Sequence, residues 1–256
     1  MKTNKIIFFL FLLLIIGLLT FRFSLSYFSD SGSSTENILA ASAEFPTPTL
    51  TITPTPPSVT PTPQIANHVV ISEVQLGESG VGNSDHDFVE FYNPTSTPFD
   101  LNGHRLVRRT GSSPSDDTIK SWITTAIIPA HGFYLWASSD DGYATTISAD
   151  ASTSDNIATA NSIALRFGLE NTGTIIDQLS WNSASQSLKE GTEFSPDPGD
   201  NESLERKAYT SSTATSMGSG GTDETKGNGF DANNNLTDFY IRAISQPQNS
   251  SVTETP

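Results

Sequence analysis

The sequence predicts an all-β fold, a β-sandwich with long loop insertions, and three observations predict it. Beyond residue 63 the apolar runs are short, rich in β-branched and aromatic residues, and broken by turn residues. Val89 and Phe91 alternate with Glu90 and Tyr92, the period of two that marks a strand wet on one face. No stretch after the N-terminal segment sustains a helical period. Many short strands with regular turn signals fit two packed sheets.

The elements follow in chain order. Lys2 and Lys5 precede an apolar run from Ile6 to Leu19, and Ser24-Leu25-Ser26 then offers small residues. That order of basic, apolar and small residues is that of a secretory signal. The alternative is a retained anchor helix. The 16 residues from Ile6 to Phe21 fall slightly short of the ~20 a spanning helix needs, and Phe23 and Leu25 extend the run past Arg22. Residues 1–26 are therefore a signal peptide or membrane anchor, and 27–45 a short spacer. Residues 46–63 are a Pro/Thr-rich linker, Pro46-Thr47-Pro48 through Pro61-Thr62-Pro63. Proline removes donors and fixes φ, so this tract builds neither sheet nor helix. At ~3.1 Å per residue it reaches roughly 55 Å, a stalk for a folded head.

The head is expected over residues 67–249, with 250–256 a disordered tail. Candidate strands are Val69–Leu76, Phe88–Tyr92, His104–Thr110, Ile119–Thr124, Phe133–Ala137, Ile163–Phe167, Thr174–Trp181, Leu204–Tyr209 and Phe239–Ala243. The Ser/Thr/Gly/Asp-rich segments Ala149–Ala160 and Thr210–Asn228 read as surface loops. Trp122, Trp136 and Trp181 lie in predicted strands and are expected in the core. Tyr143, beside Asp140-Asp141-Gly142, is expected in a loop and exposed.

Ordered blocks carry a family resemblance. Ile71-Ser72-Glu73-Val74, Asp87-Phe88-Val89-Glu90 before Asn93, and Asp100-Leu101-Asn102-Gly103 before Leu106 open it. Pro129-Ala130-His131-Gly132-Phe133-Tyr134, then Ile176-Asp177 before Trp181, continue it. Ser203-Leu204-Glu205-Arg206, Asn235-Leu236-Thr237-Asp238-Phe239 and Pro247-Gln248-Asn249 close it. Together they resemble the lamin-tail domain family, bacterial exported type. The resemblance implies an immunoglobulin-like β-sandwich that serves as an interaction or tethering module. Tyr27-Phe28-Ser29-Asp30-Ser31 also resembles the signal region of camelysin-type surface proteins, which favours a cell-surface or extracellular location, secreted or anchored.

Charge and composition exclude several classes. The chain has 13 Lys+Arg against 28 Asp+Glu and no cysteine. Without Lys2, Lys5 and Arg22, 10 basic residues face 28 acidic ones, a net charge of −18. Nucleic-acid affinity rests on cationic neutralisation of phosphates, so a nucleic-acid partner is not expected. Arg105, Arg108 and Arg109 form the one basic patch and read as a solvated strand face. With no cysteine, the head must be held by core burial alone.

Catalysis is not expected either. There is no thiol, and His68, His86, His104 and His131 are scattered with no zinc-protease spacing. Two oxygen-rich segments suit a hard cation such as calcium. The first is Asp85, Asp87 and Glu90, whose plain reading is a polar loop entering a strand with Glu90 on the solvent side. The second is Asp231, Asn233, Asn235 and Asp238, whose plain reading is an Asx-rich turn. No other cofactor is implied. The expected partner is a protein or glycan at the cell surface, with membrane contact only through an uncleaved N-terminal segment. The alternative is a self-associating surface or matrix component, calcium-dependent through these oxygens.

Overall fold

A computed structural model describes residues 64–78, 80, 84–182 and 188–256. The chain divides into two units at Ser58/Val59. The predicted signal, spacer and linker lie outside the described residues. Among the described residues no helix is long and apolar enough to cross a membrane.

Twelve strands are present among the described residues. They are β1 (Val70–Leu76), β2 (Asp87–Tyr92), β3 (Phe99–Asp100), β4 (His104–Thr110), β5 (Asp117–Ser121) and β6 (Ile127–Ile128). Then follow β7 (Phe133–Ser138), β8 (Ala151–Thr153), β9 (Asn161–Phe167), β10 (Thr174–Ser180), β11 (Ser203–Arg206) and β12 (Phe239–Arg242). They form a six-stranded sheet β12-β11-β1-β2-β7-β8, a four-stranded sheet β10-β9-β4-β5, and the small pair β3-β6. The helices Tyr143–Thr146, Ala214–Met217 and Asn235–Asp238 are single turns of 4 residues, too short to show a helical period in sequence.

Each of the nine strands expected from sequence has a counterpart, but those expected at Ile119–Thr124 and Leu204–Tyr209 end early, at Ser121 and Arg206. Thr210–Asn228 contains the turn Ala214–Met217, with Met217 buried. Ala149–Ala160, expected as a loop, contains β8, which pairs parallel with the edge of β7. It also sends Ile157 into the core. Three residues of Ala-Ser-Thr carry no strand signal, so the pairing is set by its neighbours.

The core lies between the two large sheets. Val74, Val89, Phe91, Trp136 and Leu204 come from one side, and Leu106, Ile119, Ile163, Leu165 and Leu179 from the other. Trp122, Trp136 and Trp181 are all buried, as expected. In β1 the core residues are Ile71 and then Val74 and Leu76, a break in the period of two. A register shift between Ile71 and Glu73 against β2 accounts for it. This bulge turns Glu73 and Gln75 to the outer face.

That outer face is not wet. The segment around Tyr143 and Ala144 covers Phe88, Leu135 and Ala137. Ala66 and Val252 cover Val70, Tyr92 and Phe133. Residues 245–254 cross the middle. All of β1, β2 and β7 is therefore buried. This corrects two expectations. Glu90 does not face solvent but is fully buried, because a third layer lies over the face that alternation assigns to water. Residues 250–256 are not a free tail. The Val252 and His131 carbonyls accept from the Phe133 and Glu254 amides at 3.4 and 2.7 Å. Tyr92 donates to the Glu254 carbonyl at 2.5 Å, and the Ser250 amide to Asp150 at 2.9 Å.

Deleting residues 250–256 should therefore lower stability. The four hydrogen bonds just named, at about 1 kcal/mol each, predict a loss of at least roughly 3–4 kcal/mol. Urea unfolding of the shortened and full chains measures it, and equal midpoints would contradict the ordered role of this segment.

Candidate functional site

Three places gather polar chemistry. The first is one end of the sandwich, where the β1–β2 loop meets the segment after β7. Gln75 organises it. Its buried amide donates to the His86 carbonyl and to the Tyr143 hydroxyl, both at 2.8 Å, and accepts from Ser245 at 2.5 Å. His86 and Tyr143 stack flat, with ring centroids 4.4 Å apart and planes at 9°. Tyr143 is thus buried, against the expectation of an exposed loop residue, and burial pushes its hydroxyl well up. The His86 Nδ1 lies 2.9 Å from Glu78 Oε2. A cleft of about 590 Å³ opens beside them, lined by Gln75, Glu78, Tyr143, Glu202, Ile244 and Pro247 among others.

Of the first expected cation set, Asp85 and Asp87 lie at this end and Glu90 does not join them. Odd positions of β2 face the core between the sheets and even ones the outer layer, so Asp87 and Glu90 point to opposite faces. Asp85 accepts from the Asn156 amide at 3.2 Å. Asp87 Oδ2 accepts the Ile157 N–H at 2.6 Å and anchors the loop that follows β8. Burial, then the charge of Asp85, pushes Asp87 up to about 7. These are positioning contacts of a loop.

The second place is a buried ion network. Arg206 is fully buried and donates to the Ile71 and Phe230 carbonyls at 2.8 and 3.0 Å, and to Asp177 Oδ2 at 2.9 Å. Its guanidinium lies 4.6 Å from the Phe239 ring centroid. Asp231 and Asp238 stand 3.9 and 4.0 Å from the same guanidinium. Asp231, Asp238 and Glu190 bring one carboxylate oxygen each within 4.8 Å of one another. Burial, then the charge of Asp177, pushes Glu190 up to about 8.

Of the second expected cation set, the structure thus gathers Asp231 and Asp238 and adds Glu190. Asn233 is exposed, and its N–H donates to Asp231 at 2.9 Å. Asn235 is spent on backbone: it accepts from the Ser180 and Glu190 amides and donates to the Gln178 carbonyl. Asp238 Oδ2 accepts from the Ala232 and Asn234 amides at 3.1 and 3.0 Å. The segment is an Asx-rich turn whose carboxylates already face one internal cation.

The third place is a row of glutamates across the outer face. Glu90 pairs with Glu73, Glu73 with Glu205, and Glu205 with Tyr240. Like charges directly opposite across strands repel. The row persists because donors surround it. Ser72 and the Gln248 amide serve Glu90, both at 2.5 Å. Ser203 and the Gln246 amide serve Glu73, at 2.5 and 3.1 Å. Arg242 and Tyr240 serve Glu205. Burial, then the charge of Glu205, pushes Glu73 up to about 8. Burial, then Glu73, pushes Glu90 well above the usual carboxylate range.

Sequence reasoning passed over Glu190, Asp140 and Asp141. No local pattern marks Glu190; only the fold brings it to Asp231. The basic patch is partly paired: Arg109 and Arg166 share Asp116 at 2.6 and 2.7 Å.

Two packed, mainly antiparallel sheets around a buried tryptophan core, with polar clusters about them, define an immunoglobulin-like β-sandwich. Residues 62–183 match the model of the Lamin Tail Domain family. β11, β12 and the closing segment lie beyond the match yet complete its larger sheet. No curated protein matches the chain.

Proposed function

We propose that the chain is an exported, non-enzymatic interaction module, held off a cell surface by its Pro/Thr-rich stalk and binding a protein or glycan through one end of the sandwich. The observation that carries this reading is an apolar patch at the end opposite His86. The Gly103 N–H donates to the Trp122 carbonyl, and the Gly168 N–H donates to the Gly103 carbonyl. This brings together the neighbours of Trp122 and Gly168. Ile123 is 85%, Phe167 53% and Leu169 69% exposed. Gly103 itself has φ +82°, and a Cβ there would meet the Phe167 ring at 3.0 Å. Isolated exposed apolar residues are ordinary, but a contiguous group marks an interaction surface.

A cleft of about 410 Å³, lined by Arg105, Leu169, Glu170, Asn171 and Thr172, adjoins it and offers polar partners beside the apolar ones. The lamin tail domain is a non-catalytic immunoglobulin-like family, which supports the non-enzymatic reading. Two of the histidines are also engaged in packing. His104 is wedged between Phe99 and Phe167, and His86 lies on Tyr143.

The test compares the full chain with Leu169→Asp in capture from cell-envelope extracts and in sedimentation over a range of concentrations. A partner captured by the parent and lost by the variant is the expected result. Concentration-dependent self-association abolished by Leu169→Asp would instead select the self-associating reading. Identical behaviour of both chains in both assays would overturn the patch as the contact surface.

A further inference from the structure

We propose that His86, Asp140 and Asp141 form a binding site for a divalent transition-metal ion of the zinc class, with Glu78 as the group that orients the imidazole. A ring nitrogen of His86 and one carboxylate oxygen from each aspartate lie within 4.8 Å of one another. That separation lets one ion touch all three with small side-chain movements. The two aspartates are exposed, and neither forms an ion pair with a lysine or arginine among the described residues.

An independent observation concerns Nε2. His86 is 9% exposed, and its Nε2 is buried with no hydrogen-bond partner among the described residues. Buried ring nitrogens without partners are rare in folded proteins. Glu78 Oε2 sits 2.9 Å from Nδ1. A carboxylate accepts, so Nδ1 carries a proton, and in the neutral imidazole the lone pair that could hold an ion is then on Nε2. A ligating histidine commonly donates its other N–H to a carboxylate in this way. The Tyr143 ring lies flat against the imidazole and fixes its plane, and Gln75 holds Tyr143 and the His86 backbone from below.

The donor set selects the ion. One imidazole and two carboxylates suit zinc and its neighbours, with a further position open to solvent. Calcium and magnesium prefer sites built wholly from oxygen. The site lies at the end of the sandwich opposite the apolar patch, so the two proposals stand or fall separately.

The experiment titrates the full chain, stripped with chelator, with Zn²⁺ by calorimetry and thermal unfolding. Mg²⁺ and Ca²⁺ titrations run in parallel. One zinc ion per chain and a raised Tm are expected. His86→Gln should abolish both, and Glu78→Gln should weaken binding about 10- to 100-fold. The exposed pair Asp140→Asn with Asp141→Asn should also abolish binding, with Tm unchanged in the absence of metal. No heat with the parent would overturn the proposal. So would binding that survives His86→Gln or the double Asn variant, because that ion would be held elsewhere on an acidic surface.

Discussion

Arg206→Ala should be the most damaging single substitution in the described chain, lowering unfolding stability by about 3–5 kcal/mol. The reason is the asymmetry between a paired and an unpaired buried charge. Arg206 is enclosed completely and serves Asp177, two carbonyls and the Phe239 face. Its removal leaves Asp177 at zero exposure with the Ile71 amide as its remaining hydrogen-bond donor. It also leaves Asp231 and Asp238 without their neighbouring cation. Total stability of a domain this size is on the order of 5–15 kcal/mol, so the loss is a large share of it.

Arg206→Lys should recover only part of the deficit, because a point charge cannot make three divergent contacts. Asp177→Asn combined with Arg206→Ala should cost less than the sum of the two single losses, since the orphaned charge is gone. Urea unfolding of the four chains measures the coupling. A loss below about 1 kcal/mol for Arg206→Ala would refute the account.

The glutamate row predicts the second large effect, a stability that falls as pH rises from mildly acidic to mildly alkaline. Below about 4.5 the folded and unfolded chains both hold the proton on Glu73. Between 4.5 and about 8 the folded chain holds it and the unfolded chain does not. Raising pH through that window therefore favours unfolding, by about 1.4 kcal/mol per pH unit for each such group. Glu90 acts in the same direction. The drop from pH 5 to pH 8 should reach a few kcal/mol.

Glu73→Gln and Glu90→Gln should each flatten the slope and gain stability at pH 8. At Glu73 one amide oxygen still accepts from both Ser203 and Gln246, and at Glu90 the amide oxygen keeps the Gln248 N–H while its NH2 donates to the Ser72 hydroxyl, so no charge needs burying. A parent with a flat profile from pH 5 to 8 would rule this out, as would a Gln variant less stable than the parent at pH 8.

Much of the fold could be read from residue order. Ser203-Leu204-Glu205-Arg206 shows how. Each residue of that block meets a fixed partner: Ser203 bonds Glu73, Leu204 enters the core, Glu205 receives Arg242, and Arg206 enters the ion network. Such a block is constrained at every position and so is recognisable. Glu90 shows what order conceals. Alternation identified the strand but assumed that one face met water. The layer that covers it comes from residues more than 150 positions away. The exposure expected of Tyr143 failed for the same reason, since Gln75 of β1 and His86 of the loop after it bury it from a distant part of the chain. Asp231 and Asp238 were found because they sit close in sequence, whereas Glu190 joins them only through the path of the chain around Asn235.

The covered glutamate row also bears on how the polypeptide is made. β1 is synthesised early, but its neighbour β11 follows some 130 residues later, and the donors for Glu73 and Glu90 come at Gln246 and Gln248. Glu254 then closes over Tyr92. A chain that stops short of these residues leaves two carboxylates inside a sheet with too few donors. Synthesis must therefore pass Gln248 before both buried carboxylates have their donors, and a chain released before that point keeps the outer face of β1 and β2 uncovered and open to degradation.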